Sequence, residues 1–169
     1  MKKIGVIWIG HADYLGGGVD TVVGEIQSAL SSIDSISIEP PVVVTNDTQA
    51  VRAARTILQG GFCGAILVLT SWVECNVVMS AVKELRGLPA IIWGFPSQNV
   101  RGQEINTGSY VSAAMFSGVV KRAKLHAQML IGSWKNESIL AQLRAFTRAA
   151  STADLLFYGK IGLFGYTSM

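Results

Sequence analysis

Three chemically capable side chains directly follow the most apolar segment of the chain. Ala65–Thr70 is an almost unbroken aliphatic run, and Trp72, Glu74 and Cys75 come within a few residues of its end. A tryptophan at such a place can stack on the apolar face of a sugar or cover a pocket. It can equally fill the space between strand ends and helices. Trp72 and Glu74 are therefore candidate ligand contacts, with a packing role as the alternative.

A second group lies in the glycine-rich segment Gly10–Gly18, which contains His11 and Asp13. The segment has neither the G-x-G-x-x-G pattern of dinucleotide sites nor the lysine of a P-loop. Three interpretations stay open. The segment contacts a sugar or other polyol, it binds a phosphate through backbone N–H groups at a helix start, or it is a plain connection.

Two pairings across these segments would have chemical consequences. Cys75 and His11 could act as nucleophile and base, although no third group that would orient the base is evident. Asp13 and Glu74 could share a metal or exchange protons, but capping and solvated roles are more ordinary for such residues. We predict a substrate-binding set of His11, Asp13, Trp72 and Glu74, with no catalytic residue and no metal ligand.

Short apolar runs alternate with segments of helical period, and this alternation gives the fold. Five strands are predicted, at Ile4–Ile9, Pro41–Thr45, Ala65–Thr70, Ala90–Phe95 and Ala127–Ile131, with a polar loop at Pro96–Thr107. Five successive strand–helix units predict an α/β protein of flavodoxin-like type, a doubly wound parallel five-stranded sheet in order 2-1-3-4-5. Helices cover both faces. Ligands of such sheets bind beyond the carboxyl ends of the strands, where His11 and Trp72 would both lie.

The chain has 169 residues, half of them hydrophobic, a mean hydropathy of +0.40 and a net charge of +3. This balance excludes intrinsic disorder, and no apolar run approaches the roughly 18 residues that a membrane-spanning helix needs. The cations are scattered, so we expect neither a nucleic acid nor a membrane as partner. Two cysteines are too few for a disulfide framework and favour a reducing cytoplasm.

The sequence pattern of the last residues predicts the start of a second domain. Lys160–Tyr166 reads as a further strand, and it begins with the same Lys-Ile-Gly sequence as the strand at the start of the chain. No helix follows it before Met169. We expect one domain over residues 1–153, with residues 154–169 forming a linker and the first strand of a second domain.

Several segments, in order along most of the chain, resemble one enzyme family. They are Leu69–Cys75, Ala90–Phe95, Gly108–Ala114, Leu143–Ala150 and Lys160–Met169. Together they are similar to the first domain of L-fucose isomerase and its relatives, which include L-arabinose isomerase, and to that family's passage into the second domain.

The resemblance implies an aldose–ketose isomerase. In that family a divalent metal, typically manganese, polarises the sugar's oxygens while carboxylates move a proton through an enediol. The metal ligands lie in later domains, so the resemblance puts no catalytic residue on this chain. It does imply partners, namely those later domains and neighbouring subunits of a homo-oligomer.

Trp72 matches a tryptophan that faces the sugar in this family. In Gly10–Gly18 the fucose enzymes tend to place arginine, whereas this chain has His11 and Asp13. The resemblance therefore does not single out fucose as the sugar. The alternative to an isomerase domain is a stand-alone flavodoxin-like module that binds a sugar or a partner without catalysis. An independent enzyme, such as a Cys75-dependent hydrolase, is the third possibility.

Overall fold

A computed structural model describes residues 3–16, 18–37 and 42–160, together with Gly162 and Gly165. It shows an α/β protein in which strands and helices alternate along the chain. The strands are β1 Ile4–Ile9, β2 Val43–Val44, β3 Gly64–Leu69, β4 Ala90–Gly94, β5 Gln98–Val100, β6 Gln103–Ile105 and β7 Ala127–Ile131. The helices are α1 Gly18–Ser31, α2 Asp47–Gln59, α3 Cys75–Glu84, α4 Ser109–Arg122 and α5 Glu137–Tyr158, with a 3₁₀ turn at Ala12–Tyr14.

Five of the strands form one parallel sheet in the order β2-β1-β3-β4-β7. With β7 counted as the fifth strand of this sheet, that is the predicted order 2-1-3-4-5, and the flavodoxin-like fold is confirmed. All six residues of β1 pair in register with β3, from Ile4 opposite Gly64 to Ile9 opposite Leu69. The loops that follow β1 and β3 therefore leave the sheet side by side at its carboxyl edge.

Helices cover both faces of the sheet, and each face has its own apolar core. Helices α2, α3 and α4 pack on one face around Leu67 and Ile92. Helices α1 and α5 pack on the other around Ile66 and Trp93. β3 is buried at every position because it lies inside the sheet and is covered on both sides, as its unbroken aliphatic sequence predicts.

The second strand is shorter than predicted. It contains only Val43 and Val44 of the expected Pro41–Thr45, and it pairs with Trp8 and Ile9 at the edge of the sheet. The edge position agrees with the prolines that precede it, since proline donates no ladder hydrogen bond. Pro41 itself lies outside the described residues.

The prediction of a loop over Pro96–Thr107 is wrong, because that segment contains an antiparallel ribbon of β5 and β6. Arg101 and Gly102 form its two-residue turn, and both have positive φ, 54° and 83°. This is the backbone that tight hairpins require. The Asn99 side chain accepts a hydrogen bond from the Gly102 N–H at 3.0 Å and fixes the turn. Inward-facing Gln98 and Val100 are buried, so the ribbon packs onto the domain.

Helix α5 is longer than the predicted boundary at residue 153 implies. It begins at Glu137 and continues to Tyr158, and the side chain of the preceding residue, Asn136, caps it by accepting the Ser138 N–H at 2.9 Å. Most of the predicted strand Lys160–Tyr166 lies outside the described residues. The second domain therefore stays a prediction. None of the helices in the described part of the chain is long and apolar enough to cross a membrane.

We predict that Gly94→Ala destabilises the domain, because a Cβ at Gly94 would lie 2.4 Å from the Cβ of Ala113 and 3.0 Å from the carbonyl oxygen of Ser109. Helix α4 would have to move away from β4. The free energy of unfolding should fall by about 1–3 kcal/mol, measured by urea denaturation.

The matched control is Gly118→Ala on α4 itself. A Cβ at Gly118 would have no neighbour closer than an Arg122 nitrogen at 3.9 Å. This variant should gain about 0.5–1 kcal/mol, because alanine is the better helix former. Equal stability of the two variants would contradict the close approach of α4 to the sheet.

Candidate functional site

The Ser71 hydroxyl joins the two loops that carry the predicted site. Its oxygen accepts a hydrogen bond from the backbone N–H of His11 at 2.9 Å, and its proton is donated to the carbonyl oxygen of Trp72, also at 2.9 Å. Ser71 is only 1% exposed. His11 and Trp72 are thus held together through one buried group, although they are far apart in the sequence.

Trp72 is positioned from the other side by the segment that leaves the ribbon. Its backbone N–H donates to the carbonyl oxygen of Thr107 at 2.7 Å. The next residue, Gly108, has a φ of 77° and packs so closely that an added Cβ would lie 2.8 Å from the Cβ of Trp72. Both the left-handed backbone and the close approach require glycine there. The backbone of Trp72 is therefore fixed by two elements.

The residue after Trp72 is anchored to α4. Ser112, which is fully buried, accepts the Val73 N–H at 2.9 Å and donates back to the Val73 carbonyl at 3.4 Å. A buried backbone N–H that lost its partner would cost free energy comparable to a hydrogen bond. The polypeptide on both sides of Trp72 is thus rigidly supported, while the ring itself is only partly buried.

The rings of His11, Tyr14 and Trp72 make an aromatic wall at the carboxyl edge of the sheet. The centroids of His11 and Trp72 are 5.4 Å apart with an interplanar angle of 58°, and those of His11 and Tyr14 are 6.0 Å apart at 79°. Tyr14 is 46% exposed. All three residues are at least partly exposed, so aromatic surface lies next to polar groups here, which is the composition of small-molecule sites.

Asp13 lies beside this wall. Its backbone N–H donates to Nδ1 of His11 at 3.2 Å, and its carboxylate, which is 85% exposed, lies 3.7 Å from the same nitrogen. The carboxylate is therefore open to a ligand while it remains close to the His11 ring. Of the four predicted substrate-binding residues, the structure brings His11, Asp13 and Trp72 together.

Glu74 and Cys75 lie at the start of α3 and have other surroundings. Glu74 occupies the N-cap position of α3 with an exposed side chain that makes no capping hydrogen bond. Cys75 is partly buried and packs against the core on the α2–α4 face of the sheet. No hydrogen bond between Cys75 and His11 is found among the described residues, and the Nδ1 atom of His11 is already bonded to Asp13. A packing role accounts for Cys75.

The described residues do not form the manganese site that the resemblance implies. No three His, Cys, Asp or Glu side chains within that part of the chain come together closely enough to hold a metal ion. Asp47, at the start of α2, accepts a hydrogen bond from the Asn76 amide at 3.0 Å and so ties α2 to α3. The resemblance assigns the metal ligands to later domains.

Two features of the site were not predicted from the sequence, namely the bridging role of Ser71 and the support from Thr107 and Gly108. A glycine directly before helix α4 was a signal for the second feature. The pairing of the Ser71 hydroxyl had no such signal.

Compared with known proteins, the chain matches no family model, and no curated protein matches it.

We predict that Ser71→Ala separates the two loops, because the His11 N–H loses its only described acceptor and the Trp72 carbonyl loses a donor. The free energy of unfolding should fall by about 1–3 kcal/mol. The amide hydrogen of His11 should also exchange faster with solvent, as measured by NMR.

Ser117→Ala serves as the control. The Ser117 hydroxyl is exposed and bonds only to the carbonyl of Ala114 in its own helix, at 2.8 Å. Its removal should change stability by less than about 0.5 kcal/mol. If Ser71→Ala and Ser117→Ala change the free energy of unfolding by the same amount, the Ser71 hydroxyl does not stabilise the two loops.

Proposed function

We propose that this chain is the substrate-contacting domain of a metal-dependent aldose–ketose isomerase, in which it holds the sugar. The observation that carries the proposal is the aromatic wall of His11, Tyr14 and Trp72 at the carboxyl edge of the sheet. This is the edge where open α/β sheets bind ligands. The resemblance to the first domain of the L-fucose isomerase family adds the reaction class.

The chemistry of the wall suits a sugar. A pyranose ring has C–H groups on one face, which can stack on the partly exposed ring of Trp72, and hydroxyl groups around its rim. The carboxylate of Asp13 is 85% exposed and can accept hydrogen bonds from two such hydroxyls. An apolar face combined with a few polar groups fixes both the position and the orientation of a small ligand.

The contribution of this chain to isomerisation is orientation. An aldose becomes a ketose when one proton moves from C2 to C1 and another moves from the C2 hydroxyl to the C1 oxygen. A general base and acid must meet that carbon pair in a fixed geometry. In the proposal the bound metal polarises the sugar's oxygens and is held outside the described residues. His11, Asp13 and Trp72 hold the opposite part of the sugar still and so reduce the entropic cost of reaching the transition state.

The end of α5 supports the proposal that further domains or subunits contact this one. Leu155, Leu156, Phe157 and Tyr158 follow each other and are 64%, 77%, 81% and 68% exposed. A contiguous exposed apolar patch marks an interaction surface more often than a monomer surface. Later domains and neighbouring subunits of a homo-oligomer are the partners that we propose.

A stand-alone sugar-binding module is the second candidate function. It is favoured by the fact that the aromatic wall is assembled from this chain alone, whereas no group of three metal-binding side chains is present in its described portion. Both candidates need the same wall. For either one we propose the cytoplasm as location, because the two cysteines of the chain are too few for a disulfide framework.

We predict that L-fucose or L-arabinose binds at Trp72. In ¹H–¹⁵N spectra of the native chain, the indole N–H signal of Trp72 should shift on addition of sugar. Those of Trp93 and Trp134 should not, because both residues are buried and their indole N–H groups already donate to Gly132 and Glu25. Trp72→Ala should weaken binding roughly two- to twelvefold, since a stacked ring contributes about 0.5–1.5 kcal/mol.

Trp72→Phe is the matched variant, because it keeps a flat aromatic ring while it removes the indole N–H and part of the ring area. It should bind the sugar nearly as well as the native chain. Binding that survives Trp72→Ala unchanged would contradict a sugar site at this wall.

We also predict that the 169-residue chain by itself does not convert L-fucose or L-arabinose into the corresponding ketose, with or without Mn²⁺. The groups that transfer the proton are proposed to lie outside it. A coupled assay for ketose formation over hours is the measurement. Turnover by the chain alone that persists after purification from a host lacking sugar isomerases would contradict the proposed division of labour.

A further inference from the structure

The two ring nitrogens of His11 have different surroundings. Nδ1 lies 3.2 Å from the backbone nitrogen of Asp13, whose N–H points to it. A backbone N–H can only donate, so Nδ1 must present its lone pair. In the neutral ring the proton is then on Nε2, and this second nitrogen is a hydrogen-bond donor.

Nε2 of His11 is not fully buried. It has no hydrogen-bond partner among the described residues, and in that part of the chain the only polar side-chain atom that is both buried and unpaired is the hydroxyl oxygen of Ser151. The His11 side chain as a whole is 26% exposed. The structure therefore leaves at the aromatic wall an N–H group that has no partner among the described residues.

The imidazole ring of His11 cannot flip by 180° about its Cβ–Cγ bond without losing contacts. A half rotation would place a ring carbon against the Asp13 N–H, which would then be unpaired. The backbone of His11 is itself held by the Ser71 hydroxyl at 2.9 Å, and the ring lies between Tyr14 and Trp72. The direction of the Nε2–H group is therefore fixed before any ligand binds, which lowers the cost of binding.

From this geometry we propose that His11 is a specificity-determining donor of the site, and this rests on the proposed function. It requires the ligand to present an acceptor oxygen beside the face that stacks on Trp72. The exposed carboxylate of Asp13, 3.7 Å from the His11 ring, takes a neighbouring hydroxyl as donor. The ligand class is a neutral cyclic polyol with adjacent hydroxyls, one accepting from His11 and one donating to Asp13.

The tautomer is tested without any ligand. Long-range ¹H–¹⁵N NMR of the ring protons distinguishes a protonated from an unprotonated ring nitrogen. His126 has an exposed side chain, so the variant His126→Gln removes its signals and assigns those of His11. We expect an unprotonated Nδ1 and a protonated Nε2 in the neutral ring. A proton on Nδ1 there, paired with the Asp13 carboxylate, overturns the proposal.

The donor role is tested with two amide variants and with L-fucose and L-arabinose as probes. His11→Asn keeps an acceptor near the Nδ1 position for the Asp13 N–H but has no donor that reaches as far as Nε2. His11→Gln places an amide N–H near the Nε2 position. Because one hydrogen bond has a net value near 1 kcal/mol, His11→Asn should weaken binding roughly three- to tenfold. His11→Gln should stay within about threefold of the native chain.

The outcomes separate this inference from the proposed function. Sugar binding that His11→Asn leaves unchanged overturns the donor role of His11 while the sugar site at Trp72 stands. If neither sugar shifts the Trp72 indole signal, the proposed function and the donor role both fail. The tautomer result then describes the His11 ring without a ligand and supports no binding role. Melting temperatures of both variants show whether each folds.

Discussion

The site depends on one hydroxyl group, because two loops that leave adjacent parallel strands have no ladder hydrogen bonds to join them. Between β1 and β3 that ladder ends near Ile9 and Thr70, where the Thr70 N–H and hydroxyl both donate to the Ile9 carbonyl. One residue further on, the Ser71 hydroxyl oxygen accepts a hydrogen bond from the His11 N–H. The pairing of the sheet is in effect extended by side chains beyond the last strand residue.

Close approach of backbones is the second requirement of this edge of the sheet. A Cβ at Gly10 would lie 2.4 Å from the Thr70 hydroxyl oxygen, and Gly108 faces Trp72 at a similarly short distance. Buried Thr107 and Ser109 lie on either side of Gly108. The Thr107 hydroxyl accepts the Ser109 N–H at the start of α4, and the Ser109 hydroxyl accepts the Phe95 N–H just after β4. Small residues bring the loops together, and hydroxyls satisfy the polar groups that this closeness buries.

The sheet could be predicted from the sequence, because a strand covered on both faces must be apolar throughout and β1, β3 and β4 meet that condition. The proximity of His11 and Trp72 followed from the strand order. The β5–β6 ribbon was missed because its strands are three residues long and Arg101, an unusual residue for such a turn, has positive φ. The partners of Ser71 depend on three-dimensional contacts that spacing alone does not reveal.

The ribbon between β4 and α4 also has an evolutionary consequence. It lies outside the parallel sheet, yet the segment that follows β6 contains Thr107, whose carbonyl accepts a hydrogen bond from the Trp72 N–H. Insertions or deletions at its Arg101–Gly102 turn would therefore alter the surroundings of the tryptophan without disturbing the strand order. Related proteins could diverge in ligand preference through this one segment while they keep the same scaffold.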